Sequence, residues 1–355
     1  MSGNRTARAA GGAALAVEQT RMYQEAQSAS DAVRAQLNDA GKIAALGVLI
    51  RRLAPRMVIT CARGSSDHAA TYAKYLIETR AGVVTASAAP SVSSVYGIEQ
   101  NLRDCLFIAI SQSGRSPDLL AAVTAAKQSG ATVLALCNSA AAPLAAAADH
   151  VLALHAEPET SIAATKSYLA TLAALARLIA AWTCDAKLQA ALTELPALMD
   201  RAWQLDWTPA IKLLETAEHL YVVGRGLGLA AAQEIALKCK ETCRLHAEAF
   251  SSAELHHGPF ALLGPRFPAL LLAQHDATGA GISVLAAQLA KLGIPLLLAG
   301  ATATGVQVLP SLECSAEFGP ILLVQSAYRM IATLAVRRGF DPDRPPNLSK
   351  VTETV

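Results

Sequence analysis

Residues 105–118 read Cys-Leu-Phe-Ile-Ala-Ile-Ser-Gln-Ser-Gly-Arg-Ser-Pro-Asp. Six apolar residues run without a polar break and then give way to Ser111-Gln112-Ser113-Gly114. A helix-forming stretch follows over 118–128. An unbroken apolar run of this length predicts a strand covered on both faces, and strand–turn–helix is half of a βαβ unit. The same pattern stands upstream, where the apolar run Met57–Cys61 ends in Arg63-Gly64-Ser65-Ser66 and a helix follows through Tyr72, Lys74 and Glu78. Downstream, strands are predicted over 132–137 and 150–155 and a long helix over 163–184.

A linker over 195–209 separates this unit from a second round. Strand 219–223 ends in Gly224-Arg225-Gly226-Leu227-Gly228, and a helix continues to Cys243. Strands 269–274 and 294–299 and helices 282–292 and 322–337 complete it. The halves echo one another: Arg63-Gly64 matches Arg225-Gly226, and Ser111-Gln112-Ser113-Gly114 falls where the second half has Gln274-His275-Asp276. This predicts a duplicated α/β fold of two tandem three-layer α/β/α domains on parallel sheets. The expected divisions are a tail and helix over 1–40, a first domain over 41–190, a second over 200–340 and a C-terminal tail over 341–355.

With 355 residues, 53% of them hydrophobic, the chain is long enough for two domains and can bury a large core. A net charge of +2 without a basic run argues against a nucleic-acid partner. Seven cysteines without a CxxC pair suggest a reduced, cytoplasmic setting. Cys239 and Cys243, four apart in a helical pattern, are expected to face the core. No apolar run is expected to reach membrane length, because Arg177 interrupts 169–182 and Lys127 the run before it. The Ala/Gly-rich start reads as a solvated tail in preference to a signal peptide.

Ligands of parallel sheets sit beyond the carboxyl ends of the strands. Ser65 and Ser66 occupy one such loop, and Ser111, Ser113 and Ser116 another. Each loop leads into a helix whose first N–H groups favour an anion. Turn formation and helix capping are the alternative use of these serines; two such loops at one sheet edge favour the ligand. No GxxxxGK[ST] pattern is present, so a phosphate monoester fits better than a nucleoside triphosphate, and no cofactor is expected.

Glu234, Lys238 and Glu241 stand at i, i+4 and i+7 and share one helix face, which by itself reads as a solvated ion-pair face. The segment after it, 245–259, packs His246, Glu248, Glu254, His256 and His257 into a short span. Metal binding is one reading, but adjacent histidines rarely point the same way and no HExxH spacing occurs. The favoured reading is acid/base work on a sugar, and no metal is expected.

Taken together, residues 20–355 resemble the tandem SIS-domain sugar-phosphate isomerase family. Within it the likeness is to the isomerase half of isomerising glutamine–fructose-6-phosphate aminotransferases and to SIS-type glucosamine-6-phosphate deaminases. The motifs that carry it are Ser111-Gln112-Ser113-Gly114-x-Ser116-x-Asp118, Ala163-Ala164-Thr165-Lys166, Gly224-Arg225-Gly226, Lys238-Cys239-Lys240-Glu241, His246-Ala247-Glu248-Ala249, Glu254-Leu255-His256-His257-Gly258-Pro259 and Pro346-Asn347-Leu348-Ser349-Lys350. Two details depart from the family: Gly64-Ser65-Ser66 replaces a commoner Gly-Thr-Ser, and His256 stands where lysine is usual.

The resemblance implies that Ser65, Ser66, Ser111, Gln112, Ser113 and Ser116, with Ile162, Ala163 and Ser349, bind a hexosamine or hexose 6-phosphate. It implies that Glu241 moves a proton between C1 and C2, supported by Glu234 and Lys238, and that Lys350 sits near C2. It also implies that His257 helps open the ring from a partner subunit, which makes a homodimer with a shared site. The synthase's glutaminase domain has no counterpart in this sequence, and no cysteine precedes Cys61. The expected reaction is therefore isomerising deamination of glucosamine 6-phosphate to fructose 6-phosphate and ammonia. Plain aldose–ketose phosphate isomerisation, fructosyl-amine phosphate deglycation and non-catalytic sugar-phosphate sensing are the alternatives.

Overall fold

The computed structural model describes residues 15–156 and 158–350. Among the described residues ten strands form two five-stranded, all-parallel sheets. The first holds β1 Met57–Cys61, β2 Thr85–Ser87, β3 Cys105–Ser111, β4 Thr132–Cys137 and β5 His150–Ala153, in the order β2-β1-β3-β4-β5. The second holds β6 His219–Gly224, β7 His246–Ser251, β8 Ala269–Leu272, β9 Leu296–Ala299 and β10 Gln307–Leu309. Its order, β7-β6-β8-β9-β10, repeats the first strand for strand. In each sheet the strand order reverses beside the first strand, between β1 and β3 or between β6 and β8. That switch point opens a crevice at the carboxyl ends of the strands.

Alternation along the strands sorts the side chains into two layers. Val58, Leu106, Ile108, Ile110, Leu134 and Leu136 face a core that also receives Leu220, Val222, Leu270 and Leu297 of the second sheet. Ile59, Cys61, Phe107, Ala109 and Val133 face outward under a smaller cluster, and Tyr221, Val223, Leu271 and Leu298 do the same in the second half.

The helices are α1 Arg21–Gln27, α2 Ala29–Ala35, α3 Ala40–Leu53, α4 Ser65–Arg80, α5 Ser91–Ser94, α6 Pro117–Gln128, α7 Pro143–Ala147, α8 Lys166–Trp182, α9 Ala186–Ala191, α10 Leu195–Trp203, α11 Thr208–Leu214, α12 Gly228–Cys243, α13 Gly279–Lys291 and α14 Gly319–Arg337. α6 and α13 cover the outer faces, contributing Leu119, Ala122 and Val123, and Ile282, Leu285 and Leu289. Between the sheets α4, α8, α12 and α14 pack on one another. α3 crosses α8 so closely that a methyl group on Gly47 would stand 2.6 Å from the carbonyl carbon of Ala181.

Two expectations change. Residues 195–209 are not a linker: α10 buries Leu195, Pro196, Met199, Ala202 and Trp203. The helices ahead of β1 pack into the fold, α1 on α14 and α2 on α8 and α10. An apolar helix of membrane length does occur, α14 at 19 residues, and 83% of its apolar window is buried inside the fold. Cys239 and Cys243 are both fully buried, as their spacing predicted, and all seven cysteines are free thiols.

Candidate active site

β1 and β3 deliver the two serine loops to the first sheet's switch point. A cleft of about 320 Å³ opens there, lined by Arg63, Gly64, Ser65, Ser66, Ser111, Gln112, Ser113, Ser116, Ile162, Ala164, Lys238, Glu241, Leu348, Ser349 and Lys350. The volume lies at the lower end of the range of about 300–1,000 Å³ usual for small-molecule sites. Five segments far apart in sequence thus meet on one ligand-sized space.

The cradle wall is built for an acceptor. Ser111 Oγ receives the Gly114 N–H at 3.0 Å, and Ser113 Oγ receives the Arg115 N–H at 3.3 Å. Each hydroxyl oxygen is engaged by backbone, so its proton is available to a ligand. The turn requires Gly114, whose φ is +63°, and a methyl group there would come within 2.7 Å of Ala142 Cβ. α4 and α6 start at these loops and aim their free N–H groups at the cleft. Arg63, which the sequence reading quoted but did not assign to the site, adds a cation. Its Nε and one terminal nitrogen both lie 2.9 Å from Oδ2 of buried Asp118.

The opposite wall comes from α12. Glu241 projects into the cleft and accepts from Lys238 Nζ at 2.5 Å. Lys238 Nζ also lies 3.5 Å from Glu234 Oε1. Glu234 does not line the cleft but sits behind it, 0% exposed. Its carboxylate also takes His68 Nδ1 at 2.9 Å, the Tyr328 hydroxyl at 2.8 Å and the Ser65 hydroxyl at 3.2 Å. Burial pushes the Glu234 pKa up, but the Lys238 charge and the His68 and Tyr328 hydrogen bonds outweigh it and hold the carboxyl below its ordinary value. Burial pulls Lys238 down, yet Glu234 and Glu241 together hold it above the usual lysine value. The face is therefore not the solvated ion-pair stripe that its spacing alone allows.

Lys350 reaches the cleft from the C-terminal segment. Its Nζ lies 3.3 Å from Oε2 of Glu159. Glu159 is itself fixed by the Thr165 and Ser167 N–H groups at 3.0 Å each and by the Ser167 hydroxyl at 2.6 Å. Ahead of this loop Glu25 of α1 accepts the Ser161 N–H at 3.1 Å and the Thr160 hydroxyl at 3.0 Å. Asp343 in turn accepts the Arg21 and Met22 N–H groups that open α1, at 2.7 and 2.9 Å. Sequence reading missed Glu159, Glu25 and Asp343, whose contacts to Lys350, to Thr160 and Ser161, and to Arg21 and Met22 each span more than a hundred positions.

Other nominated residues lie elsewhere. Ala163 is buried behind the cleft wall, and Ala164 takes the lining position. His257 is exposed and does not line the cleft of its own chain. His246 begins β7, at the amino end of the sheet and so away from the ligand edge, where its Nδ1 faces His219 Nδ1 at 3.3 Å. The 245–259 segment is thus a strand followed by short turns, not one acid/base cluster. Among the described residues no group of three or more His, Cys, Asp or Glu side chains could hold a metal ion.

The second sheet has the matching crevice in filled form. Strand register sets Ala273, Gln274 and His275 where the first half has Ser111, Gln112 and Ser113. Gln274 is 3% exposed. Methyl groups on Gly319 and Gly228 would stand 2.1 Å and 2.9 Å from its side-chain amide.

Comparison with known proteins agrees with this architecture. The SIS domain family matches residues 54–181 and 213–301. A glutamine–fructose-6-phosphate aminotransferase (isomerizing) of Aeropyrum pernix is 31% identical over 93% of this chain and 56% of its own length. The corresponding Legionella pneumophila enzyme is 33% identical over 82% of this chain and 50% of its own. The chain spans about half the length of the curated relatives it matches. Among solved structures, a provisionally named phosphosugar isomerase of Silicibacter pomeroyi is 40% identical, with a TM-score of 0.88 over 91% of this chain and 100% of that one.

Proposed function

The chain belongs to the SIS domain family, and from that premise we propose that its cleft performs isomerising deamination of glucosamine 6-phosphate. Water is consumed, and fructose 6-phosphate and ammonia are formed. One observation carries the reading: serine loops, a carboxylate and a lysine from distant segments line one cleft of about 320 Å³.

In this reading the phosphate lies against Ser66, Ser111, Gln112, Ser113 and Ser116, where hydroxyl protons and two helix N-termini meet its charge. The open-chain sugar extends toward α12. Glu241 takes the proton from C2 and returns it to C1, converting the amino aldose into a 2-imino compound. Water hydrolyses the imine, and the C2–N bond breaks as ammonia leaves. Lys350, near C2, stabilises or transiently replaces the departing nitrogen, and its tie to Glu159 fixes where its amine lies. His257 of a second protomer serves ring opening in a homodimer.

A panel of hexose and hexosamine 6-phosphates tests this. Glucosamine 6-phosphate should release ammonia and ketose in equal amounts. Ketose formed from an aldose 6-phosphate without ammonia would favour plain isomerisation, and binding without turnover would favour a sensor.

A further inference from the structure

Glu234 sits where the two halves of the fold meet. α4 of the first half gives it the Ser65 hydroxyl and His68, and α14 of the second gives it Tyr328. On its own helix Lys238 is shared: 3.5 Å from Glu234 and 2.5 Å from Glu241. Of the four donors to Glu234, Ser65 and Lys238 also line the cleft, whereas His68 and Tyr328 do not. Ser65 is therefore the neutral donor that a bound ligand can draw away.

We propose that Ser65 is a positioning residue that ties occupancy of the cleft to the strength of the base. A substrate oxygen that accepts the Ser65 proton removes it from Glu234. A buried carboxylate that loses a donor must be compensated by its remaining partners. The adjustable one is Lys238, which swings toward Glu234 and away from Glu241. Glu241, less neutralised, then draws a carbon-bound proton more strongly. With the cleft empty, Glu241 stays paired and quiet. The inference rests on reading Glu241 as the base, but its test needs no turnover.

The test uses the full chain with 13C-labelled glutamate carboxyls, the Glu241 signal being assigned by its loss in Glu241→Gln. Inorganic phosphate and, separately, an unreactive hexitol 6-phosphate are added, and binding is followed by calorimetry. The Glu241 signal should move toward that of an unpaired carboxylate. The movement should fall to less than half in Ser65→Ala at saturation and return in Ser65→Thr, which keeps the hydroxyl. Movement with phosphate alone assigns the acceptor to the phosphate group; movement only with the hexitol phosphate assigns it to a sugar hydroxyl. Equal movement in Ser65→Ala, a still signal on binding, or no binding of either probe overturns the proposal. A failed ammonia assay would overturn the proposed reaction and leave this signal in place, so the two are separable.

Discussion

Glu241 and Glu234 lie seven residues apart on one helix and face different worlds, one the cleft and one the core. Glu241→Gln keeps shape and removes basicity. Turnover should fall by about 10²- to 10⁴-fold, and solvent-deuterium exchange at C1 or C2 should fall with it, while the affinity for substrate changes little. Full exchange in the variant would show that another group moves the proton. Glu234 makes a prediction about acid. Its folded pKa is depressed, burial being outweighed by Lys238 and its hydrogen bonds. Its contribution to stability is therefore present above the unfolded carboxylate value of about 4.3 and lost as pH falls through the lower folded value. Urea midpoints followed from about pH 7 to about pH 3 should drop less steeply in Glu234→Gln than in the unmodified protein. An equally steep acid limb would remove Glu234 from the account. The serine loops and the 234–238–241 face were legible because each is a local pattern. Glu159 and Glu25 were not, because only the folded chain brings Lys350 and Ser161 to them.

Among the elements, the central strands declared themselves because both of their faces are covered and their sequences are continuous apolar runs. The strands missed, β2, β7 and β10, all lie at sheet edges, with short or partly exposed sequences that give no such run. α10 was read as linker although its buried stripe has helical spacing; Pro196 occupies the first turn of the helix, where proline is tolerated. The crossing of α3 on α8 gives a prediction at this scale. Alanine at Gly47 would favour the helix by about 1 kcal/mol, but its methyl group would meet the backbone of Ala181, which cannot rotate away. The clash should win, and Gly47→Ala should lower stability by about 1–3 kcal/mol. Urea unfolding at neutral pH decides it, and equal or greater stability would refute the close crossing.

At the level of the whole molecule, the two sheets share a core that the sequence reading did not place. Residues from Met22 to Ala335 join one cluster between the sheets, so the helices ahead of β1 and α10 between the halves belong to both. Local patterns could not reveal this, because a shared core depends on which elements pack together. The proposed partner role of His257 is also a molecular-scale claim. Inactive His257→Ala and inactive Glu241→Gln subunits, mixed and re-associated, should regain part of the activity; verified heterodimers without recovery would argue against a shared site. The duplication itself has an arithmetic consequence. Two crevices of the same topology stand at equivalent sheet edges, but Gln274 packs tightly against Gly228 and Gly319 in the second. The stoichiometry of sugar-phosphate binding should therefore be one molecule per chain, with a single class of site in a calorimetric titration, and a second equivalent of bound ligand would mean that Gln274 yields.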